Sequence, residues 1–510
     1  MLGTFAAFAF VVHSRLHAPA DADSFYHVRH AWLYRRGGVF QTAFPWAQYS
    51  VIKTYAADLW YGFHVLLLPL TSLDDLVNGI YVGAYVTTVL TLGLVYLALR
   101  RLELRWPALW VFVFTLASAD VLYRLTMLRP HPLSIGLALA LFSYLVTEGS
   151  SKRLVAIFLL SGGLAWIHLA LSWIAVLMVL VVTLVRAVHG RTPEWPALAC
   201  IGSGVLSGWL LRPNPVGAAK LVYIQVVKLL LEKGERTPLS FGVELYPFTW
   251  LDFVDQLIPI TALTVVALGY LVWLIARKRY RTIAPTQQIA LWGSVILCAG
   301  FFVLAFTVAR RSNEIFVGFA VVFVGLLATH QRAGGRADRR RALALGLVAL
   351  AFLAMTFQTL YRFETYVAAA AASYRPDRFK AASLWLQEHA RPGEIVFNVH
   401  WGMFPHLFFW NTSSYYISGM DPIFQYAYDP GLYWKNHFLA FAGATNFTCA
   451  STTCTGAESI ATYDVLTRDF RASYMLIEKL GQPKLYRYLE SDARFMKVLE
   501  TDEDALYRIR

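Results

Sequence analysis

Apolar residues in this chain come in long blocks rather than in one-face stripes. Eleven such runs lie near 1–12, 78–99, 107–120, 132–148, 154–168, 172–186, 196–211, 258–276, 287–308, 312–330 and 342–361. A helix needs roughly 20 apolar residues to cross a bilayer. The blocks therefore predict a polytopic α-helical membrane protein of about eleven spans, the shorter runs being free to merge or shift. The run 1–12 is short for a span, and no clean small-residue cleavage site marks it as a removed signal. It reads as a short helix or as one whose start is clipped.

The pattern changes near residue 362. Residues 377–390 carry an amphipathic helical period, 391–393 (Arg-Pro-Gly) a turn, and 394–399 a strand. Residues 474–477 read as a second strand, and 495–499 with 505–509 as a terminal hairpin. Two domains are expected, a transmembrane one over 1–361 and an α/β one over 362–510. No internal repeat is evident.

Composition agrees with a membrane location. The 510 residues are 57% hydrophobic and 15% charged, with mean hydropathy +0.49. A soluble chain carries roughly 25% charged residues. The net charge of +13 would suit a nucleic-acid partner if it formed one patch. It collects instead in short loops: Arg100, Arg101 and Arg105; Lys152 and Arg153; Arg186 and Arg191; 277–281; and the Gly/Arg-rich connector 332–341. Counted along the spans, all five fall on one side, which the positive-inside rule makes cytoplasmic. An integral protein of the cell inner membrane follows, its C-terminal domain extracytoplasmic. Segments 17–77, 120–131, 212–257, 309–313 and 362–510 then share the outer face. Cys200 and Cys298 lie in apolar runs and read as inert. Cys449 and Cys454 suit a local disulfide if the tail is outside. No metal-ligand cysteine pattern is present.

Every candidate for chemistry lies on that outer face. Asp21 and Asp23 open the segment Asp21-Ala-Asp23-Ser-Phe-Tyr-His27-Val-Arg29. Two carboxylates two residues apart suit a divalent cation, or a proton acceptor for the attacking group. Read alone, Asp23-Ser24 is equally a helix cap. Asp120 and His131 flank the next outer turn as further metal or proton-transfer candidates, with Arg129-Pro130 also able to mark a helix start. Glu244 lies in a long outer loop that also holds Glu232, Lys233, Glu235 and Arg236. Arg310 and Arg311 defy the positive-inside trend and suit a phosphate, or else snorkel beside Glu314. His400 and Trp401 begin the aromatic stretch that follows the first tail strand. Its rings suit sugar stacking or packing against the spans.

The acidic-x-Asp-Ser-aromatic-Tyr-His-x-Arg segment resembles the first-loop motif of the oligosaccharyltransferase catalytic subunit and its archaeal and bacterial relatives. These belong to the GT-C superfamily of polyprenol-dependent glycosyltransferases. The resemblance implies that Asp23 binds a divalent cation (Mg²⁺ or Mn²⁺) and touches the acceptor, with Asp21, Asp120 and His131 as further ligands. It implies that Glu244, in Ser240-Phe-Gly-Val-Glu244, reaches the acceptor, although the family spacing is one residue shorter. It makes Arg311, with Arg310, the holder of the lipid-linked phosphate, and His27, Arg29, Trp401 and His400 substrate contacts. Trp401-Gly402 echoes only part of the family's Trp-Trp-Asp-Tyr-Gly signature, and the missing Asp departs from peptide-sequon recognition. The implied activity is inverting transfer of a sugar or oligosaccharide from a polyprenyl phosphate or pyrophosphate to a protein, lipid or surface-glycan acceptor. The alternatives are a flippase for a lipid-linked sugar and a non-catalytic glycan-binding subunit. Against the first, no inverted repeat is present and the acidic residues lie in outer loops rather than at mid-membrane.

Overall fold

A computed structural model of the protein describes residues 1–149, 151–235, 237–331 and 339–510. Arg236 and most of the connector 332–341 therefore lie outside the described residues. Helices occupy each expected run: Leu2–His13, Leu76–Arg101, Pro107–Leu116, Pro130–Val146, Ser151–Ile167, Trp173–Val188, Trp195–Leu210, Ile258–Ala276, Pro285–Thr307, Asn313–Gln331 and Arg339–Ser373. Proline in the first turn starts many of them, where a missing N–H costs nothing. Asp75 caps Leu76–Arg101 by accepting the Val77 N–H.

Among the described residues, five helices are by themselves long and apolar enough to cross a membrane, or up to seven if two bent pairs each count as one span. Apart from Arg339–Ser373, the other runs are broken or short. At Ser118 the backbone becomes extended and the chain turns by 101° into Ala119–Leu125. After Leu210 the Arg-Pro-Asn-Pro sequence 212–215 ends the helix, since proline cannot continue one. The chain turns by 109° into Pro215–Gly234. That second limb ends at Gly234, and residues 237–247 form a loop with one helical turn at Val243–Leu245.

The four basic clusters that lie within the described residues gather at one end of the bundle. Arg101 donates to Thr147 Oγ1 (2.9 Å), the Arg105 N–H to Thr329 Oγ1 (2.9 Å), and Arg153 pairs with Glu194. His189 meets the Tyr280 hydroxyl at 3.2 Å. Glycines bring Ser151–Ile167 and Trp195–Leu210 together. A Cβ at Gly204 would strike Ser161 and the Phe158 carbonyl, and one at Gly208 the Gly162 carbonyl. Small residues four apart allow this close approach.

The helix Arg339–Ser373 runs unbroken through the boundary expected at 361 and leads into the C-terminal domain. The tail holds Ile395–Asn398 (β1), Tyr415–Tyr416 (β2), Phe447–Thr448 (β3), Ile460–Ala461 (β4), Ala472–Glu478 (β5), Phe495–Glu500 (β6) and Asp504–Ile509 (β7). Five strands form one sheet in the order β2-β1-β5-β7-β6, parallel at β2-β1-β5 and antiparallel through the β6–β7 hairpin. Gly393, at φ 84°, makes the turn into β1. The strand, hairpin and helix (Lys380–His389) fall where the sequence places them. Cys449 and Cys454 are joined in a disulfide.

The membrane part adds to this sheet. Tyr416 donates its N–H to Trp46 O, and Gln48 N–H donates back to Tyr416 O, both at 2.8 Å. Residues 46–49, which lie between the first two apolar runs, thus sit beside β2 as a parallel edge. Much of the aromatic stretch packs: Phe404, Phe408, Phe409, Tyr416, Phe424, Tyr433 and Trp434 are buried.

Candidate functional site

Three segments meet at one place. The helix Asp23–Gly37 begins at Asp23. The turn after Ala119–Leu125 leads to Arg129, which precedes the helix Pro130–Val146. The short turn Arg310–Ser312 joins two spans. Between them lies a cavity of about 420 Å³ whose wall includes Asp23, His27, Arg129, His131, Glu244 and Arg311. That volume suits a small-molecule group rather than a single water. Apolar wall residues such as Leu171, Phe301 and Ile315 adjoin these polar ones.

Arg129 is the hub of the acidic side. Its Nε pairs with Asp21, its Nη2 lies 2.8 Å from Asp23 Oδ2, and its Nη1 lies 3.7 Å from Glu244 Oε1. Ser24 Oγ donates to the other Asp21 oxygen and accepts the Leu128 N–H. Burial pushes the Asp23 carboxyl up to about 6, against the pull of Arg129 and with added repulsion from Asp21 and Glu244. Glu244 is half-buried, which would raise it, but Arg129, Arg124 and Arg311 outweigh that and hold it down at about 2. Asp421, on the same wall, is pushed up to about 7 by burial while it caps its helix through the Ile423 N–H.

A second buried cluster lies beside the first. Glu314 is fully buried and pairs with Arg124 at 2.6 Å and with His131. Glu314 is therefore neutralised by Arg124 rather than by the adjacent arginines. Arg310 pairs with Asp252 and sits 4.9 Å over the Phe248 ring, away from the cavity. Arg311 lines the cavity, and among the described residues its guanidinium has no ion-pair partner and its buried Nε no hydrogen bond.

The remaining expected residues are placed as follows. Asp120 stands outside the cavity wall, and its buried Oδ2 has no hydrogen bond. Arg29 stacks on Trp32 (4.1 Å) and reaches Thr412, also outside the wall. His400 accepts the Gly402 N–H and stacks on Trp401. Trp401 Nε1 donates to Ser240 O at 3.1 Å, so it holds the loop that carries Glu244. The four residues expected to share a cation are thus divided. Arg129 holds Asp21 and Asp23, Glu314 holds His131, and Asp120 is apart.

Sequence reasoning passed over Arg129 as a hub, and Asp58, His64 and Asp421 altogether. His27 Nδ1 lies 2.8 Å from His64 Nε2, and His64 Nδ1 lies 2.6 Å from Asp58 Oδ2. Tyr34 donates to the same Asp58 oxygen, at 2.8 Å. Burial would raise the Asp58 carboxyl, but His64, His30 and the bonded donors hold it well below the usual range. An ionised Asp58 fixes the proton on His64 Nδ1, so His64 Nε2 accepts from His27 and His27 Nε2 keeps its lone pair. His30, Asp58 and His64 also bring ligand atoms within 4.8 Å of one another, a set able to take a divalent cation.

No family model and no curated protein matches the chain. Solved structures do. The oligosaccharyltransferase of Archaeoglobus fulgidus in its apo form superposes with TM-score 0.58 at 11% identity, covering 98% of this chain and 73% of that one. ArnT of Cupriavidus metallidurans gives 0.55 at 12%, covering 99% and 97%. The mycobacterial arabinofuranosyltransferase AftD gives 0.52 at 15%, covering 100% of this chain and 41% of that one. ArnT has also been solved with undecaprenyl phosphate, and the archaeal enzyme with an inhibitory peptide and dolichol-phosphate or with Zn and sulfate. The helical block and the C-terminal sheet therefore share one architecture with these structures: the protein is a polytopic membrane protein with a GT-C-like fold.

Proposed function

We propose that the protein is a membrane glycosyltransferase that moves a sugar or oligosaccharide from a polyprenyl phosphate or pyrophosphate to an acceptor on the extracytoplasmic face. The observation that carries this reading is Arg311, a half-buried arginine that has no ion-pair partner among the described residues, on the wall of a cavity that also presents Asp23 and Glu244. A forked guanidinium that no carboxylate holds at ion-pair distance, with Glu244 only near enough to feel its charge, suits a phosphate. The fold neighbours add support, since ArnT binds undecaprenyl phosphate and the archaeal enzyme dolichol-phosphate. The apolar wall beside Arg311 suits the lipid end of such a donor.

The chemistry is a single displacement. The acceptor's nucleophilic atom forms its bond to the anomeric carbon as the bond from that carbon to the phosphate oxygen breaks. Asp23, in its carboxylate form, takes the acceptor proton. Arg311 stabilises the charge that grows on the departing phosphate, a role suited to a donor group fixed in advance. Glu244 stays ionised beside Arg129 and helps fix the position of the acidic side.

Deletion of the gene should deplete one glycan class, read by mass spectrometry of lipids, surface polysaccharide and protein separately. An unchanged profile in all three, with no conversion of polyprenyl-linked sugars by the purified protein, would refute the reading.

A further inference from the structure

We infer that Arg129 takes the place a divalent cation would hold among the outer-face carboxylates, so that this site is closed by a guanidinium built into the chain. The inference deepens the transferase reading and rests on it for its functional meaning, but not for its test.

Each nitrogen of Arg129 faces a different carboxylate: Nε meets Asp21, Nη2 Asp23 and Nη1 Glu244. A hard cation requires several oxygens at about 2.0–2.6 Å from one point, and here the guanidinium stands where those oxygens converge. The other expected ligands are engaged elsewhere or stand apart. The second Asp21 oxygen is taken by Ser24, and Asp21 is 3% exposed. His131 is bonded to Glu314, which Arg124 already neutralises. The Asp21, Asp23, Asp120 and His131 set therefore does not fit a metal ion.

The guanidinium is also firmly placed. Arg129 sits at the start of Pro130–Val146 with extended backbone, φ −130° and ψ 157°, the conformation that a following proline favours. Among the described residues Asp23 Oδ1 accepts no hydrogen bond, and the residue lines the cavity. A planar fork that holds Oδ2 thus orients Oδ1 toward incoming substrate, a task that a metal ion would otherwise perform by coordination.

Mn²⁺ bound to the purified, chelator-stripped protein tests this by electron paramagnetic resonance. The His30-Asp58-His64 set is a possible second site, so the readout is the change caused by Asp23→Asn. Wild-type protein and Asp23→Asn should take up the same amount of Mn²⁺. Arg129→Ala should gain one Mn²⁺ per chain, and Arg129→Ala/Asp23→Asn should lose that gain. Wild-type Mn²⁺ that disappears in Asp23→Asn, or a folded Arg129→Ala that gains none, would overturn the inference. The wild-type and Asp23→Asn pair decides the matter even if Arg129→Ala fails to fold. The measurement reads the cation site whether or not the protein transfers a sugar, so it separates this inference from the proposed function.

Discussion

Arg129 Nη2 lies 2.8 Å from Asp23 Oδ2, and this contact does not pull Asp23 down into the ordinary carboxylate range. Burial and two neighbouring carboxylates outweigh the guanidinium and leave Asp23 at about 6. If the carboxylate form is the base, kcat/KM rises as pH climbs through 6 and levels off above it. Glu244, held at about 2, is ionised throughout and adds no limb. A flat profile between about pH 5 and 7 would remove Asp23 from that role. Asp23→Asn should abolish turnover while expression and folding remain near wild type.

The same two groups act oppositely on stability. Asp23 is raised from 3.8 to about 6, so its contribution is least harmful below pH 3.8 and stability falls as pH rises through 6. Glu244 is lowered from 4.5 to about 2, so its contribution is present above pH 4.5 and is lost as pH falls toward 2. Melting curves of Glu244→Gln in detergent should therefore lose part of the wild-type acid sensitivity below pH 4.5.

Arg311→Ala should weaken donor use by roughly ten- to a hundredfold, since a charged hydrogen bond is worth about 1.5–3 kcal/mol. Arg311→Lys should cost less, because it keeps charge but loses the fork. Arg310 is engaged with Asp252, so Arg310→Ala should leave donor KM near wild type. Steady-state kinetics against donor concentration checks the contrast. A silent Arg311→Ala would move the phosphate site elsewhere.

Glu314→Gln should damage the fold itself. It removes the charge that neutralises buried Arg124, and breaking a buried pair costs about 3–5 kcal/mol. Thermal unfolding in detergent should show a clear drop in melting temperature. Replacement of exposed Glu458 in the same assay serves as the comparison.

Trp401→Phe tests how the Glu244 loop is held. The Trp401 indole and the Tyr433 hydroxyl both bond Ser240, at 3.1 Å each. Loss of one such bond, about 1 kcal/mol, should raise acceptor KM several-fold. It should also speed proteolysis within 237–248, with kcat little changed.

The proposed orientation has its own check. A C-terminal alkaline phosphatase fusion should be active, and a C-terminal fluorescent reporter that matures only in the cytosol should be dark. The reverse would place the cavity on the inner face.

The spans were legible because a run of apolar residues is a local signal, and the terminal hairpin because its two short runs sit close together. The gathering of the basic loops at one end followed from counting. The site was legible only in part. Asp23, Glu244 and Arg311 stood out because charge is conspicuous in loops between apolar runs. Arg129 did not, since an arginine before a proline reads equally well as a helix start. Asp58 and His64 lie in a stretch with no clear period, and only tertiary folding sets them behind His27. Glu314 was assigned to the adjacent arginines because sequence distance hides which helix face a side chain takes. Its partner Arg124 comes from a helix that turns by 101° after a break no hydropathy count reveals.

The edge pairing of residues 46–49 with β2 also sets an order of events during synthesis. Trp46 bonds Thr412 across 366 residues of chain. At about 5–20 residues per second, a ribosome needs roughly 20–70 s to make the interval. For that time the first outer loop, with Asp21 and Asp23 behind it, has no sheet to join. The loop must wait, already delivered to its side of the membrane, until the last domain arrives to close over it. A nascent chain stalled before residue 412 would therefore expose the loop to added protease, and the same loop would become resistant once the tail had folded.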